Sequence, residues 1–175
     1  MRRTALPYLY LVALATLAAC SPSLNWRSVR SEAHGLQMLL PCKPDKASRE
    51  VRMAGTDLQL DMQGCDAAGA TFAVSHVRLA DARQAGATLA GWQAATLAHL
   101  HAADPQTQAF ALPGSWSGVR WALAGQRADG SPVNAQAVWF AHADPAGIDL
   151  FHAVVYADKL DPAAAETFFT GLKFE

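Results

Sequence analysis

The fold of this chain is decided by two apolar segments, VNAQAVWFA at 133–141 and IDLFHAVVYA at 148–157, which are joined by HADPAG at 142–147. They form the longest apolar pair in the sequence, and they are rich in the β-branched and aromatic residues that are frequent in strands. The joining segment contains Asp, Pro and Gly, which are typical of turns. We therefore predict an antiparallel hairpin.

The two faces of this hairpin depend on its register. If residue 142 pairs with residue 148, Trp139 lies opposite Phe151, and Val155 is nearby on the same face. The opposite face then carries Val138, Phe140, Leu150 and Val154. Both faces are apolar, which leaves two interpretations open. Either the hairpin is central and covered on both faces, or the face with Trp139, Phe151 and Val155 is exposed and binds a partner.

Period-two patterns predict further strands before this hairpin. The segment LQMLL at 36–40 predicts a short strand that stops at Pro41. Apolar and polar residues alternate over 58–63, and residues 70–79 continue as a second strand after a turn at 64–69. These two strands predict another antiparallel hairpin.

Two helices are also predicted. Asp81 is an N-cap residue for the first helix, which ends at 104–105, where Asp and Pro follow one another. Its apolar stripe, which should lie on the sheet, consists of Leu89, Trp92, Thr96, Leu97 and Leu100. The second helix follows Asp161, with Pro162 at its first position, and covers 163–172.

This order of elements predicts an α+β fold, in which an antiparallel β-sheet has two helices packed against it, both on one face or at one end. Two short motifs, LLP at 39–41 and FFTGLK at 168–173, accompany that order. Together they resemble the PsbP-like fold, which has a strand ending in Leu-Pro, a meandering sheet and a closing helix with paired phenylalanines. Members of that fold are mostly accessory or binding proteins, so the resemblance implies a protein that is not an enzyme.

The first 20 residues have the pattern of an export signal. Arg2 and Arg3 precede an apolar run over 5–19, which is shorter than the roughly 20 apolar residues of a transmembrane helix. The run leads into LAAC at 17–20. This ending resembles the lipobox of bacterial lipoproteins, whose cysteine receives a diacylglycerol thioether, is exposed by cleavage and is usually acylated, as with palmitate. An ordinary secretory signal is the alternative.

The lipobox resemblance implies a signal peptide at 1–19, a lipidated N-terminus and short linker at 20–25, and a single α+β domain at 26–175. Cys20 would be the lipidated residue, and two or three acyl chains anchor a protein stably to a bilayer. In that class, a serine after the cysteine, here Ser21, implies transport to the outer membrane. We therefore expect a cell-envelope location, with the domain lipid-anchored at the outer membrane and facing the periplasm.

Cys42 and Cys65 remain once Cys20 carries lipid. An even pair of cysteines in an oxidising compartment predicts a disulfide. A zinc or redox site is the sharper alternative, but it would need further ligands nearby or a Cys-x-x-Cys motif, and neither is present.

The charge balance argues against several classes of partner. The chain has 14 basic and 15 acidic side chains, and loss of Arg2 and Arg3 changes the formal net charge from −1 to −3. A mildly acidic chain without a basic run is not typical of proteins that bind nucleic acid or a charged membrane surface. The 51% of hydrophobic residues indicates a folded domain.

No catalytic residue, metal site or cofactor is predicted. The segment GSWSG at 114–118 is similar to a nucleophile elbow, but Trp116 occupies the central position where that motif needs serine. His99 and His101 point about 200° apart on a helix. In the predicted register, His142 and His152 lie roughly 13 Å apart along the sheet, which is too far for one metal ion.

The sequence therefore predicts a membrane-anchored cell-envelope lipoprotein that acts as a binding or assembly accessory module. Its partners would be the lipid bilayer, through acylated Cys20, and an envelope protein or apolar ligand at Trp139, Phe151 and Val155. One alternative is a structural or stress-related envelope protein without a dedicated ligand. The other is an enzyme whose site is assembled from residues that the sequence does not reveal.

Overall fold

The structure is a computed structural model, and it describes residues 23–31, 35–116 and 118–174. These residues form a mixed α+β domain of mostly antiparallel sheets and two helices. The strands are β1 (Arg27–Arg30), β2 (Leu36–Leu40), β3 (Asp45–Met53), β4 (Thr56–Ala67), β5 (Ala70–Leu79), β6 (Gln106–Phe110), β7 (Gly118–Gln126), β8 (Pro132–Asp144), β9 (Gly147–Ala157) and β10 (Lys173–Phe174). The helices are α1 (Ala85–His99), which follows a 3-10 turn at Ala82–Gln84, and α2 (Pro162–Thr170). Neither helix of the described ranges is long and apolar enough to cross a bilayer.

The strands form two antiparallel sheets. The large sheet has seven strands in the order β3-β4-β5-β9-β8-β7-β6, and the small sheet has the order β1-β2-β10. The predicted apolar hairpin is confirmed as the pair β8 and β9. Since β9 is the fourth of seven strands, the hairpin lies at the centre of the large sheet.

The large sheet is covered on both faces. On one face, Trp92 of α1 packs with Trp139, Leu150 and Val154. On the other face, α2 and the small sheet enclose a second core, which contains Phe72, Phe140, Phe151, Phe168 and Phe169. The prediction that both helices pack on one face or at one end is therefore wrong. A central hairpin that is apolar on both faces needs a covering layer on each of them.

The predicted register of the central hairpin is wrong by one residue. His142 pairs with Asp149, so Trp139 faces His152 and Phe140 faces Phe151. The hairpin continues to a pair between residues 144 and 147, which leaves only two residues in the turn. A shift of one residue exchanges the faces of a strand. As a result Trp139 lies on the α1 face, whereas Phe151 and Val155 lie on the α2 face, and all three side chains are buried.

Two edge strands were missed because they are polar. β3 carries Lys46, Arg49, Glu50 and Arg52, and β6 begins with Gln-Thr-Gln, so neither has the apolar pattern of a buried strand. Both lie at the edges of the large sheet, where polar residues protect against pairing with other chains. Pairing with a neighbouring strand, rather than burial, defines these two strands.

The turn between β4 and β5 lies later than the predicted 64–69. β4 continues through Cys65 to Ala67, and the chain reverses at Ala68 and Gly69, which have positive φ angles of 51° and 75°. Gly64 is therefore a strand residue. A Cβ atom at Gly64 would lie 2.6 Å from the Phe72 carbonyl oxygen, so glycine allows the close approach of β5.

The disulfide between Cys42 and Cys65 is confirmed, with a sulfur–sulfur distance of 1.98 Å. Cys42 lies in the segment that follows β2 and Cys65 lies in β4, so the bond links the small sheet to the large one. In the chain-entropy account, closing a loop of this length stabilises the fold by about 3 kcal/mol.

Candidate ligand-binding groove

A groove opens on the α1 face of the large sheet, between α1 and strands β3, β4, β5 and β9. We call it the α1 groove. Its apolar lining consists mainly of Val51, Met53, Leu60, Met62, Trp92 and Val154. Its polar lining consists of Arg49, Ser75, Thr96, His99, His152 and Tyr156. The cavity volume is about 510 Å³, which lies within the range of small-molecule sites.

Strand periodicity and small side chains create the groove. Residues 49, 51 and 53 of β3 face the same side of the sheet, because successive side chains of a strand alternate. In β5, Ala73 and Ser75 stand between the larger residues of β4 and β9, since Ser75 pairs with Met62 on one side and with His152 on the other. These short side chains leave space beneath α1.

His152 lies at the inner side of the groove, held between two tryptophans. Its ring stacks on Trp139 at a centroid distance of 4.6 Å and an angle of 10°, and it meets the edge of Trp92 at 5.5 Å. The residue is only 5% exposed. Desolvation by burial lowers the pKa of His152 to about 3, so the imidazole is neutral at neutral pH.

Two nitrogen atoms at this position lack hydrogen bonds. His152 Nε2 and Trp139 Nε1 are both buried, and neither has a partner among the described residues. Buried polar atoms are nearly always hydrogen-bonded in folded proteins, so each exception needs an explanation. Tyr156, also in the groove lining, has a raised pKa because it too is desolvated.

Ser75 and His152 are neighbours in the groove lining but do not form an activated serine. Ser75 is the cross-strand neighbour of His152, but His152 Nε2 makes no hydrogen bond to Ser75 or to any other described group. An activated serine needs a base within hydrogen-bond reach, and a base works best when its pKa is near the working pH. A pKa of about 3 makes His152 a weak base at neutral pH.

A buried ionic cluster lies on the opposite face of the sheet, near the β8–β9 turn. Asp149 is fully buried, accepts a hydrogen bond of 2.8 Å from Arg78 Nη1 and lies 2.8 Å from His76 Nε2. Arg78 also donates to both oxygens of Asp144, and this hydrogen bonding raises the pKa of Arg78. The cluster joins β5 to both strands of the central hairpin, and we interpret it as structural.

This cluster was missed in the sequence, although one signal was present. Asp149 is a carboxylate within the mainly apolar segment 148–157, and a buried carboxylate requires a charged or hydrogen-bonding partner. The identity of that partner, Arg78, depends on the pairing of β5 with β9. Sequence spacing does not reveal such a pairing.

The structure separates the three predicted binding residues. Trp139 supports His152 beneath the α1 groove, whereas Phe151 and Val155 belong to the core on the α2 face. The correct register instead brings Trp139 together with His152, a residue that the predicted register placed too far from His142 to share a metal ion. Cys20, the predicted lipidation site, lies outside the described residues.

The observed register also changes where His142 and His152 lie relative to each other in the sheet. His142 pairs with Asp149, three residues from His152, so the two histidines are on opposite faces. His142 stacks on Phe174 at 4.2 Å, and its Nδ1 lies 2.6 Å from the Gly114 carbonyl oxygen. Within the described ranges, no group of three or more His, Cys, Asp or Glu residues is arranged to hold a metal ion.

Comparison with known proteins gives no family for this chain. The sequence matches no protein-family model, and no curated protein is significantly similar to it.

Proposed function

We propose that this protein is a lipid-anchored cell-envelope protein that acts as a binding module, with an apolar small molecule held in the α1 groove. The main support for a binding role is the α1 groove, a space of about 510 Å³ with a mainly apolar lining. Such concave apolar sites with a few polar groups are typical of small-molecule binding.

A small molecule is favoured over an envelope protein as the ligand. The apolar faces of the central hairpin are covered, so they offer no interface. Among the described residues, the exposed large hydrophobic side chains are Trp116 and Val119. Two such residues make a small patch compared with the roughly 800 Å² that each partner buries in a stable protein complex.

The envelope location is supported by the segment LAAC at 17–20 and by the Cys42–Cys65 disulfide. Disulfides are typical of oxidising compartments outside the cytoplasm. With Ser21 after Cys20, we propose an outer-membrane anchor and a domain that faces the periplasm. We also propose that the domain is PsbP-like, which is consistent with its antiparallel sheet and with the buried Phe168 and Phe169 of its closing helix.

The anchor is tested by mass spectrometry of the full chain purified from membranes. We expect the mature protein to begin at Cys20 and to carry the mass of a diacylglycerol and an amide-linked acyl chain. A Cys20→Ser variant should keep residues 1–19 and carry no lipid. An unmodified residue 20 in the native protein, or a chain that retains residues 1–19, would contradict the proposal.

The binding role is tested with naphthalene as an apolar probe and the full chain in lipid nanodiscs. We expect naphthalene to shift the indole N–H resonance of Trp92 in ¹⁵N spectra, because Trp92 lines the groove. Ala95→Phe should weaken this response, since Ala95 lines the groove and a phenyl ring there would occupy it. Ala94→Phe is the matched control, because Ala94 is exposed and lies about 200° around the helix from Trp92.

Each outcome of this test is decisive. A saturable Trp92 shift that Ala95→Phe weakens and Ala94→Phe leaves intact would support a ligand-binding module. Absence of any shift, or equal effects of the two variants, would contradict it and favour a structural accessory role without a dedicated ligand.

A further inference from the structure

We propose that the α1 groove selects an uncharged molecule with an apolar body and one hydroxyl or carbonyl group, and that His152 forms a hydrogen bond with that group. This inference rests on the proposed function. It adds the chemical class of the ligand and the residue that recognises it.

His152 is a polar residue at a position where an apolar ring would pack equally well. The residue is 5% exposed, its Nε2 has no partner among the described residues, and its ring stacks on Trp139 as a phenyl ring also would. Its neighbours on the same face of β9, Leu150 and Val154, belong to the apolar core. A buried imidazole nitrogen without a hydrogen bond destabilises a protein, so its presence favours a partner that comes from outside the chain.

His152 is one of the residues that line the α1 groove, so its side chain borders the open space, whereas its Nε2 atom is itself buried. A ligand must therefore enter beside the ring to reach this atom. The neighbouring Ala73 and Ser75 of β5 are short, and they leave room beside the ring for part of a ligand. The cavity volume of about 510 Å³ suits a small molecule rather than a peptide segment.

The charge of the groove lining favours an uncharged ligand. Because burial keeps the imidazole neutral, it offers one donor and one acceptor, which match a hydroxyl or carbonyl group but do not neutralise a charged one. Among the residues that the structure describes, no carboxylate lines the groove, and its permanent cation, Arg49, is exposed at the outer strand β3. A charged group placed next to His152 would lose its hydration without gaining a counter-ion.

The experiment compares three probes with the same apolar body, namely naphthalene, 2-naphthol and 2-naphthoate. Each probe is titrated into the full chain in nanodiscs, with the Trp92 indole shift as readout and empty nanodiscs as the correction for partitioning. We expect 2-naphthol to bind about tenfold more tightly than naphthalene, which is the usual effect of one net hydrogen bond. We expect 2-naphthoate to have no such advantage.

The variant that tests the residue is His152→Phe. It retains a ring that can stack on Trp139, and the test is the ratio of the two affinities within the variant: the tenfold preference for 2-naphthol over naphthalene should fall to about one. A second measurement needs no variant. In the wild-type protein, 2-naphthol should shift the ¹⁵N resonances of the His152 ring, and naphthalene should shift them much less.

Several results would overturn this inference while leaving the binding role intact. They are equal affinities for naphthalene and 2-naphthol, a preference for 2-naphthol that survives in His152→Phe, and unchanged His152 ring resonances. Tightest binding of 2-naphthoate, with loss of affinity in Arg49→Gln, would identify an anionic amphiphile and would also overturn it. Failure of all three probes to shift Trp92 would instead overturn the proposed function.

Discussion

His152 shows how one residue can lower the stability of a domain at acidic pH. The ring is held between Trp92 and Trp139, in a place where a positive charge would lack both water and a counter-ion. Burial lowers its pKa from the ordinary 6.5 to about 3. The unfolded chain therefore binds a proton more readily than the folded one between these two pH values, and folding stability falls as the pH falls.

We predict a marked acid sensitivity that depends on His152. Between pH 6.5 and pH 4.5, this residue alone should reduce the free energy of unfolding by about 2.3 kcal/mol. Urea unfolding of wild type and His152→Phe at both pH values gives the measurement, and the variant should lose that much less stability. Equal losses in the two proteins would show that the ring is hydrated or protonated in the folded state.

Asp149 is the second residue whose burial has a measurable consequence. It is fully buried and interacts with both Arg78 and His76, so Asp149→Ala leaves a cationic side chain without its buried partner. We expect the free energy of unfolding to fall by about 3–5 kcal/mol. Asp57→Ala is the control, because it breaks an ion pair with Arg52 in which both side chains are mostly exposed, and it should cost less than about 1 kcal/mol. Similar losses in the two variants would contradict the structural importance of the cluster.

At the scale of elements, the β8–β9 turn determines which residues meet across the sheet. Asp144 Oδ1 accepts a hydrogen bond of 2.8 Å from Ala146 N, and Gly147 resumes pairing with a φ of 154°. This short turn fixes the register, and the register places Trp139 next to His152. The site beneath α1 thus depends on a turn at the end of the hairpin.

Two glycine substitutions should have opposite effects on stability. A Cβ atom at Gly147 would lie 2.5 Å from the Leu79 carbonyl oxygen, so Gly147→Ala should force β5 and the turn apart and destabilise the fold by about 2 kcal/mol. Gly86 lies near the start of α1, and an added methyl group there would have no atom within 4 Å, so Gly86→Ala should stabilise the fold by about 0.5–1 kcal/mol. Thermal unfolding of both variants checks the signs, and a neutral Gly147→Ala would show that the turn can relax.

At the scale of the whole molecule, the domain consists of one large sheet with a different cover on each face. α1 covers one face and leaves the groove, whereas α2 and the small sheet close the other around a continuous phenylalanine core. The Cys42–Cys65 disulfide links the two sheets. This arrangement places the groove on the face that α1 covers, whereas the small sheet adds to the cover of the other face.

Removal of the disulfide should weaken the whole domain. We expect Cys42→Ala combined with Cys65→Ala to lower the free energy of unfolding by about 3 kcal/mol, because the unfolded chain gains the freedom of the opened loop. Denaturant unfolding of the variant, and of the wild type with and without reductant, provides the measurement. If reductant lowers the stability of the double variant as well, the effect does not come from this bond.

Local patterns in the sequence were sufficient to predict much of the fold. The apolar segments at 133–141 and 148–157 gave the central hairpin, Asp161 with Pro162 gave the start of α2, and the even cysteine pair gave the disulfide. Such features depend on neighbouring residues or on simple counting, so one sequence contains the information. The polar edge strands β3 and β6 did not follow from it, because pairing alone makes them strands.

The sequence by itself determined which side chains of each hairpin strand share a face. It also determined the α+β class and the pairing of Cys42 with Cys65. Only the tertiary structure decided which face of each strand is directed toward α1, and therefore that His152, not Phe151, lies opposite Trp139. The physical reason is that side chains of a strand alternate with a period of two, so a register shift of one residue exchanges the faces. The groove follows from the same cause, since its lining comes from five elements that only the packed sheet and helix bring together.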